Sequence, residues 1–187
     1  MRAFVGFFTS KKIYDHVEKL QEETKNFVRG KWIEPQNLHI TFQFLGDISR
    51  DQAVSVMKNL QKVADRFSPF KVQYRSLGVF PDSRRPRILW IGVSRGGDLL
   101  KRIASEVVQL NRKAGINPET KPFHPHVTIC RIKDVDRRKL KNLMSRYRNT
   151  VFGEDTVDRV AFISSSLTSV GPIYTVVEEF PLRRDTS

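Results

Sequence analysis

Only one cysteine, Cys130, occurs in 187 residues, so no internal disulfide is possible and little material exists for a structural zinc site. Long hydrophobic runs are missing too. The cleanest, ILWIGV from Ile88 to Val93, falls far short of the ~20 residues that span a bilayer. The opening RAFVGFF is halted by Lys11 and Lys12 with no small-residue cleavage pattern, and reads as a first strand, not a signal peptide. No phosphate-cradling glycine loop occurs, which leaves a P-loop enzyme without support. Acidic residues are few beside basic ones: 20 Asp plus Glu against 33 Lys plus Arg, a net charge of +13. A polyanionic partner fits that balance. The basic clusters SRRPR and DRRKLK carry no interleaved aromatics, so a dedicated single-strand platform is not indicated. A soluble, cytoplasmic, monomeric protein is expected, long enough for one compact domain.

Four segments have helical periodicity. Ile13, Val17, Leu20, Thr24 and Phe27 recur at spacings of four and three, ending near Gly30. Ser49-Arg50-Asp51-Gln52 is a capping-box pattern that opens a second helix carrying Val56, Leu60, Val63 and Phe67. A third runs from about Asp98 and stops at Gly115, and a fourth starts near Asp136 with Leu140, Leu143, Met144 and Tyr147 facing in. Strand-like segments, rich in Val, Ile, Phe and Thr, fall at 3–8, 38–45, 70–80, 87–93, 126–131, 156–164 and 172–180. In order, each half reads strand, helix, strand, helix, strand. The expectation is a single duplicated domain over 1–187, with halves 1–82 and 83–187 divided at the loop FPDSRRPR.

One tetrad is written twice. LHITFQF contains His39-Ile40-Thr41-Phe42 and PHVTIC contains His126-Val127-Thr128-Ile129, each beginning the strand between two helices of its half. Alternate strand residues share a face. His39, Thr41 and Gln43 are therefore expected opposite a core face of Ile40, Phe42 and Phe44, and His126, Thr128 and Cys130 opposite Val127 and Ile129. If the halves face each other about a pseudo-two-fold axis, two imidazoles and two hydroxyls meet across a groove. Such a pair suits in-line displacement at a phosphodiester. Histidine titrates near neutrality, so one ring accepts a proton while the other donates one, and the threonines hold the non-bridging oxygens. No carboxylate cluster accompanies the motifs, so a two-metal nuclease is not supported. His124, His126 and Cys130 are spread along one strand and cannot close a tetrahedral metal site.

These residues resemble a known family, the two-histidine phosphoesterases, and within them the RNA 2',3'-cyclic phosphodiesterases, also called 2'-5' RNA ligase-like proteins. The resemblance spans nearly the whole chain: RAFVGF, HITFQFLG, PFHPHVTICR and the C-terminal GPIYTVV. It implies a bilobal α+β fold, two pseudo-symmetric lobes each with an antiparallel sheet and two helices, and an active-site groove between them. It implies opening of a 2',3'-cyclic phosphate at an RNA end to a 2'-phosphomonoester, with no metal or cofactor. His39 would then donate the proton to the leaving 3' oxygen and His126 accept one from water, while Thr41 and Thr128 bind the phosphate. Arg131 resembles the family's phosphate-side arginine, yet strict alternation puts it opposite His126, so a bulge or strand end must turn it. Tyr174 of GPIY would line the groove. Cys130 stands where the family commonly has alanine, which makes a groove-facing thiol expected. Two alternatives remain open: ATP-independent 2'-5' ligation, and an RNA-binding module without turnover.

Overall fold

The computed structural model describes residues 1–184. Its strands are β1 (Arg2–Phe8), β2 (Val28–Trp32), β3 (His39–Asp47), β4 (Phe70–Phe80), β5 (Ile88–Val93), β6 (His126–Val135), β7 (Val151–Val157), β8 (Arg159–Thr168) and β9 (Gly171–Pro181). Four α-helices lie among them: α1 (Tyr14–Thr24), α2 (Arg50–Ala64), α3 (Gly97–Arg112) and α4 (Arg137–Arg146). The architecture is α+β and bilobal. One sheet has four strands in the order β3-β1-β8-β9 and the other five in the order β2-β6-β5-β4-β7, all pairs antiparallel.

The strand order carries a regularity. In each sheet the strand with the histidine tetrad lies beside the first strand of its own half, β3 by β1 and β6 by β5. The next strand inward comes from the other half: β8 beside β1, and β4 beside β5. Helices cross over as well. α3 packs on β3 and on α2, while the Tyr147 hydroxyl after α4 donates to Glu23 of α1 at 2.6 Å. A single core joins both sheets and all four helices, from Val5 and Ile40 through Leu89, Ile91 and Val127 to Phe162.

Local chemistry explains the element ends. At α2 the capping box forms as expected, Gln52 N donating to Ser49 Oγ at 3.1 Å and Ser49 N to Gln52 Oε1 at 3.0 Å. Asp136 caps α4 through Lys139 N at 3.1 Å. Two strands escape the sequence reading. β2, VRGKW, is a short, mostly exposed edge, and the expected strand 156–164 is instead the pair β7 and β8. Helix α1 ends at Thr24, not near Gly30, with Thr24 buried and its hydroxyl bonded back to Leu20 O at 2.7 Å. No helix of the described residues is long and apolar enough to cross a membrane.

Candidate active site

β3 and β6 are where the two sheets approach each other, and each opens on its histidine. The rings are anchored identically. His39 Nδ1 lies 2.6 Å from Asn37 O, and His126 Nδ1 lies 2.6 Å from His124 O. A carbonyl only accepts, so Nδ1 carries the proton in both rings, and Nε2 is left to exchange protons.

Burial pushes the pKa of His39 below the ordinary imidazole value, and the charges of His126 and Arg131 push it further in the same direction. Burial also lowers His126, and the charge of His124 adds a little to this, while in both rings the bond from Nδ1 to the backbone carbonyl works the other way without outweighing burial. Aromatic rings supply that burial. His39 has Phe4 at 4.8 Å, Tyr174 at 5.3 Å and Phe8 at 5.9 Å between ring centroids. Phe4 belongs, with Ala161 and Ile163, to a small second core on the groove side of the four-stranded sheet. Around His126 stand Phe80 at 5.0 Å, edge-on, Trp90 at 6.0 Å and the stacked His124 at 6.4 Å. Trp90 lies flat on β4 only because residue 78 is glycine, where a Cβ would sit 2.2 Å from the indole.

Strict alternation fails at the same place in both motifs. Gly6 pairs with Thr41 but Val5 with Gln43, so Phe42 is an extra residue in β3. Trp90 pairs with Thr128 but Leu89 with Cys130, so Ile129 is an extra residue in β6. Each bulge inverts the residues that follow it. Three expectations are thereby corrected. Gln43 is buried at 3% exposure instead of facing the groove, Phe44 is 56% exposed instead of packed in the core, and Cys130 is fully buried at 0%. The Cys130 thiol is pushed up to about 12 by that burial, so it presents no reactive group to the groove.

The same inversion brings Arg131 round, so that it and Tyr174 line a cavity beside His39. Thr41 and Thr128 remain half-buried, two residues along from each histidine. The residues that sequence reasoning missed are the carbonyl anchors Asn37 and His124 and the walls Phe4, Phe8, Phe80 and Trp90. The anchors are backbone carbonyls, which no residue type announces, and the walls depend on strand pairing across the halves. His16, given no role, rests edge-on against Phe152 at 5.7 Å.

Two lobes with a histidine-lined groove between them define a bilobal α+β enzyme fold of the two-histidine class. The chain belongs to the family described as LigT like Phosphoesterase, which matches residues 8–90 and again 91–174. It is 57% identical, over 97% of each chain, to a protein of Aquifex aeolicus named RNA 2',3'-cyclic phosphodiesterase. A protein of Methanothermobacter thermautotrophicus with the same name is 33% identical over 97% of this chain and 99% of its own. Among solved structures, TT0787 of Thermus thermophilus superposes with a TM-score of 0.83 at 27% identity over 100% of both chains. E. coli LigT complexed with 3'-AMP shares the fold, with a TM-score of 0.77 at 20% identity over 98% of each chain.

Proposed function

We propose that this protein hydrolyses 2',3'-cyclic phosphate ends of RNA to 2'-phosphomonoesters, by acid–base catalysis between His39 and His126 and without a metal cofactor. The observation that carries the reading is the matched anchoring of the two rings, each with Nδ1 tied to the carbonyl two residues upstream. A water oxygen attacks phosphorus, and His126 Nε2 takes its proton. The bond from phosphorus to O3' breaks, and protonated His39 delivers a proton to O3'. Thr41, Thr128 and Arg131 hold the non-bridging oxygens, whose charge grows in the transition state. The names of the Aquifex aeolicus and Methanothermobacter thermautotrophicus relatives support this substrate class, as does the +13 net charge. Phe80, Trp90 and His124 crowd the His126 side, which favours water over a bulky ribose hydroxyl as nucleophile.

The test is the chemistry of the product end. An oligoribonucleotide ending in a 2',3'-cyclic phosphate should be converted to the 2'-phosphate alone. A 3'-phosphate would place the leaving oxygen on the wrong side of the pair, and an unchanged end would refute the activity.

A further inference from the structure

Two segments, DSRRPR from Asp82 to Arg87 and DRRKLK from Asp136 to Lys141, hold seven cations and two carboxylates in twelve residues. All seven cations are exposed, and none forms an ion pair among the described residues. Both carboxylates are committed to backbone amides. Asp82 Oδ1 accepts from Arg84 N at 2.8 Å and from Arg85 N at 3.1 Å, and Asp136 caps α4. The fold joins the two segments, since Arg137 Nη1 donates to Arg84 O at 3.0 Å. That bond holds like charges side by side, a repulsion that a bound polyanion relieves.

The patch is continuous with the groove. Its loop leaves β4 at Phe80, whose ring meets His126 edge-on at 5.0 Å. Arg87 N donates back to Phe80 O at 2.8 Å and Ile132 N donates to Arg87 O at 2.7 Å, so the loop is clamped to β6 one residue beyond Arg131. Arg131 and Lys133, exposed on either side of buried Ile132, lead along β6 toward α4. The six residues from Arg131 to Arg137 span at most about 20 Å. Aromatic rings are missing from this surface. Among the described residues Phe44 is the only exposed Phe, Tyr or Trp, and it lies on β3 in the other sheet. A single strand is held by stacking its bases on such rings as well as through its phosphates. A base-paired stem keeps its bases inside and presents a phosphate backbone, which guanidinium groups bind without reading sequence.

We propose that this arginine-rich rim receives the phosphate backbone of a base-paired RNA stem, whose short unpaired 3' end carries the cyclic phosphate into the groove. The inference rests on the cyclic phosphodiesterase reading and names the form of RNA it acts on. Its test compares three substrates with the same terminal nucleotide: a hairpin with a short 3' overhang, an unstructured oligoribonucleotide of the same length, and the 2',3'-cyclic mononucleotide. At low salt, wild-type protein should show kcat/KM at least about tenfold higher for the hairpin than for the unstructured strand. A variant combining Arg84→Gln, Arg85→Gln, Arg137→Gln and Arg138→Gln should bring those two within about threefold of each other. Its turnover of the mononucleotide should stay at the wild-type rate, because none of the four side chains lies at the histidines. The log-log salt dependence with the hairpin should become shallower by about 0.9 for each phosphate contact removed. A hairpin turned over no faster than the unstructured strand, or an advantage that the variant keeps, overturns the stem-binding rim and leaves the cyclic phosphodiesterase reading standing. No turnover of any of the three substrates by wild type overturns both.

Discussion

Phe44 and Arg131 occupy equivalent places in the two motifs: each stands five residues beyond its histidine, past a one-residue bulge, and each is turned out of the core. The duplicated backbone therefore presents an apolar ring on one side of the groove and a guanidinium on the other. The proposed in-line displacement would have the same asymmetry, with a nucleoside on the leaving side and a charged phosphate between the rings.

Arg131→Met should lower kcat/KM about 10- to 100-fold, because a hydrogen bond to a charged group is worth about 1.5–3 kcal/mol. It should also raise the His39 pKa, since the Arg131 charge is one of the causes that lower it. Steady-state kinetics combined with an NMR titration of the His39 ring reads both. An unchanged rate would remove Arg131 from the phosphate.

The inward turn of Gln43 makes a stability prediction. Asn111 Nδ2 donates to Gln43 Oε1 at 2.9 Å, and Asn59 Nδ2 donates to Asn111 Oδ1 at 3.0 Å, tying the β3 bulge to α3 and α2. Asn111→Leu keeps the volume but removes the donor from a buried amide. Urea denaturation should show a loss of about 1–3 kcal/mol; wild-type stability would mean that the buried chain of amides does not anchor the bulge.

Those bulges mark the limit of what local pattern conveys. The tetrads, the Ser49 capping box and the four amphipathic helices were legible because each is written in neighbouring residues. A bulge shifts a strand by one position without any residue type announcing it, so Gln43, Phe44 and Cys130 all went to the wrong face. β2 lacks alternation because Arg29, Gly30 and Lys31 form an exposed edge. β7 is obscured by Glu154 and Asp155, the latter buried and accepting from the Tyr74 hydroxyl at 2.7 Å. Exchange of β4 and β8 between the sheets is a long-range pairing with no local signature. For Arg131 the family resemblance supplied what alternation denied.

The thiol at Cys130 should be inert. Its burial and its pKa of about 12 predict negligible labelling by a disulfide reagent in the native protein and stoichiometric labelling after unfolding. Rapid native labelling would contradict the inward turn at the second bulge.

The imidazoles of His39 and His126 are both lowered by burial, which fixes the direction of two pH effects. The bell-shaped kcat/KM profile of the free enzyme should centre below about pH 6.5, the ordinary imidazole value. Stability has a definite sign too. With pKa values lower folded than unfolded, the unfolded chain binds more protons in the window below about pH 6.5, so stability falls as pH drops through it. The double variant His39→Gln plus His126→Gln should lose less stability over that window. A wild-type optimum above about pH 7.5, or an identical acid dependence in the double variant, would show the rings to be solvated.

The most direct measurement is turnover of a 2',3'-cyclic phosphate-ended RNA in excess EDTA by wild type, His39→Gln and His126→Gln. Glutamine limits the cavity that alanine would open among Phe4, Phe8 and Tyr174. A paired acid and base predict wild-type turnover unaffected by the chelator, and a fall of about 10²–10⁴-fold in each variant. Wild-type rates in either variant, or loss of wild-type activity in EDTA that added metal restores, would contradict catalysis by the histidine pair.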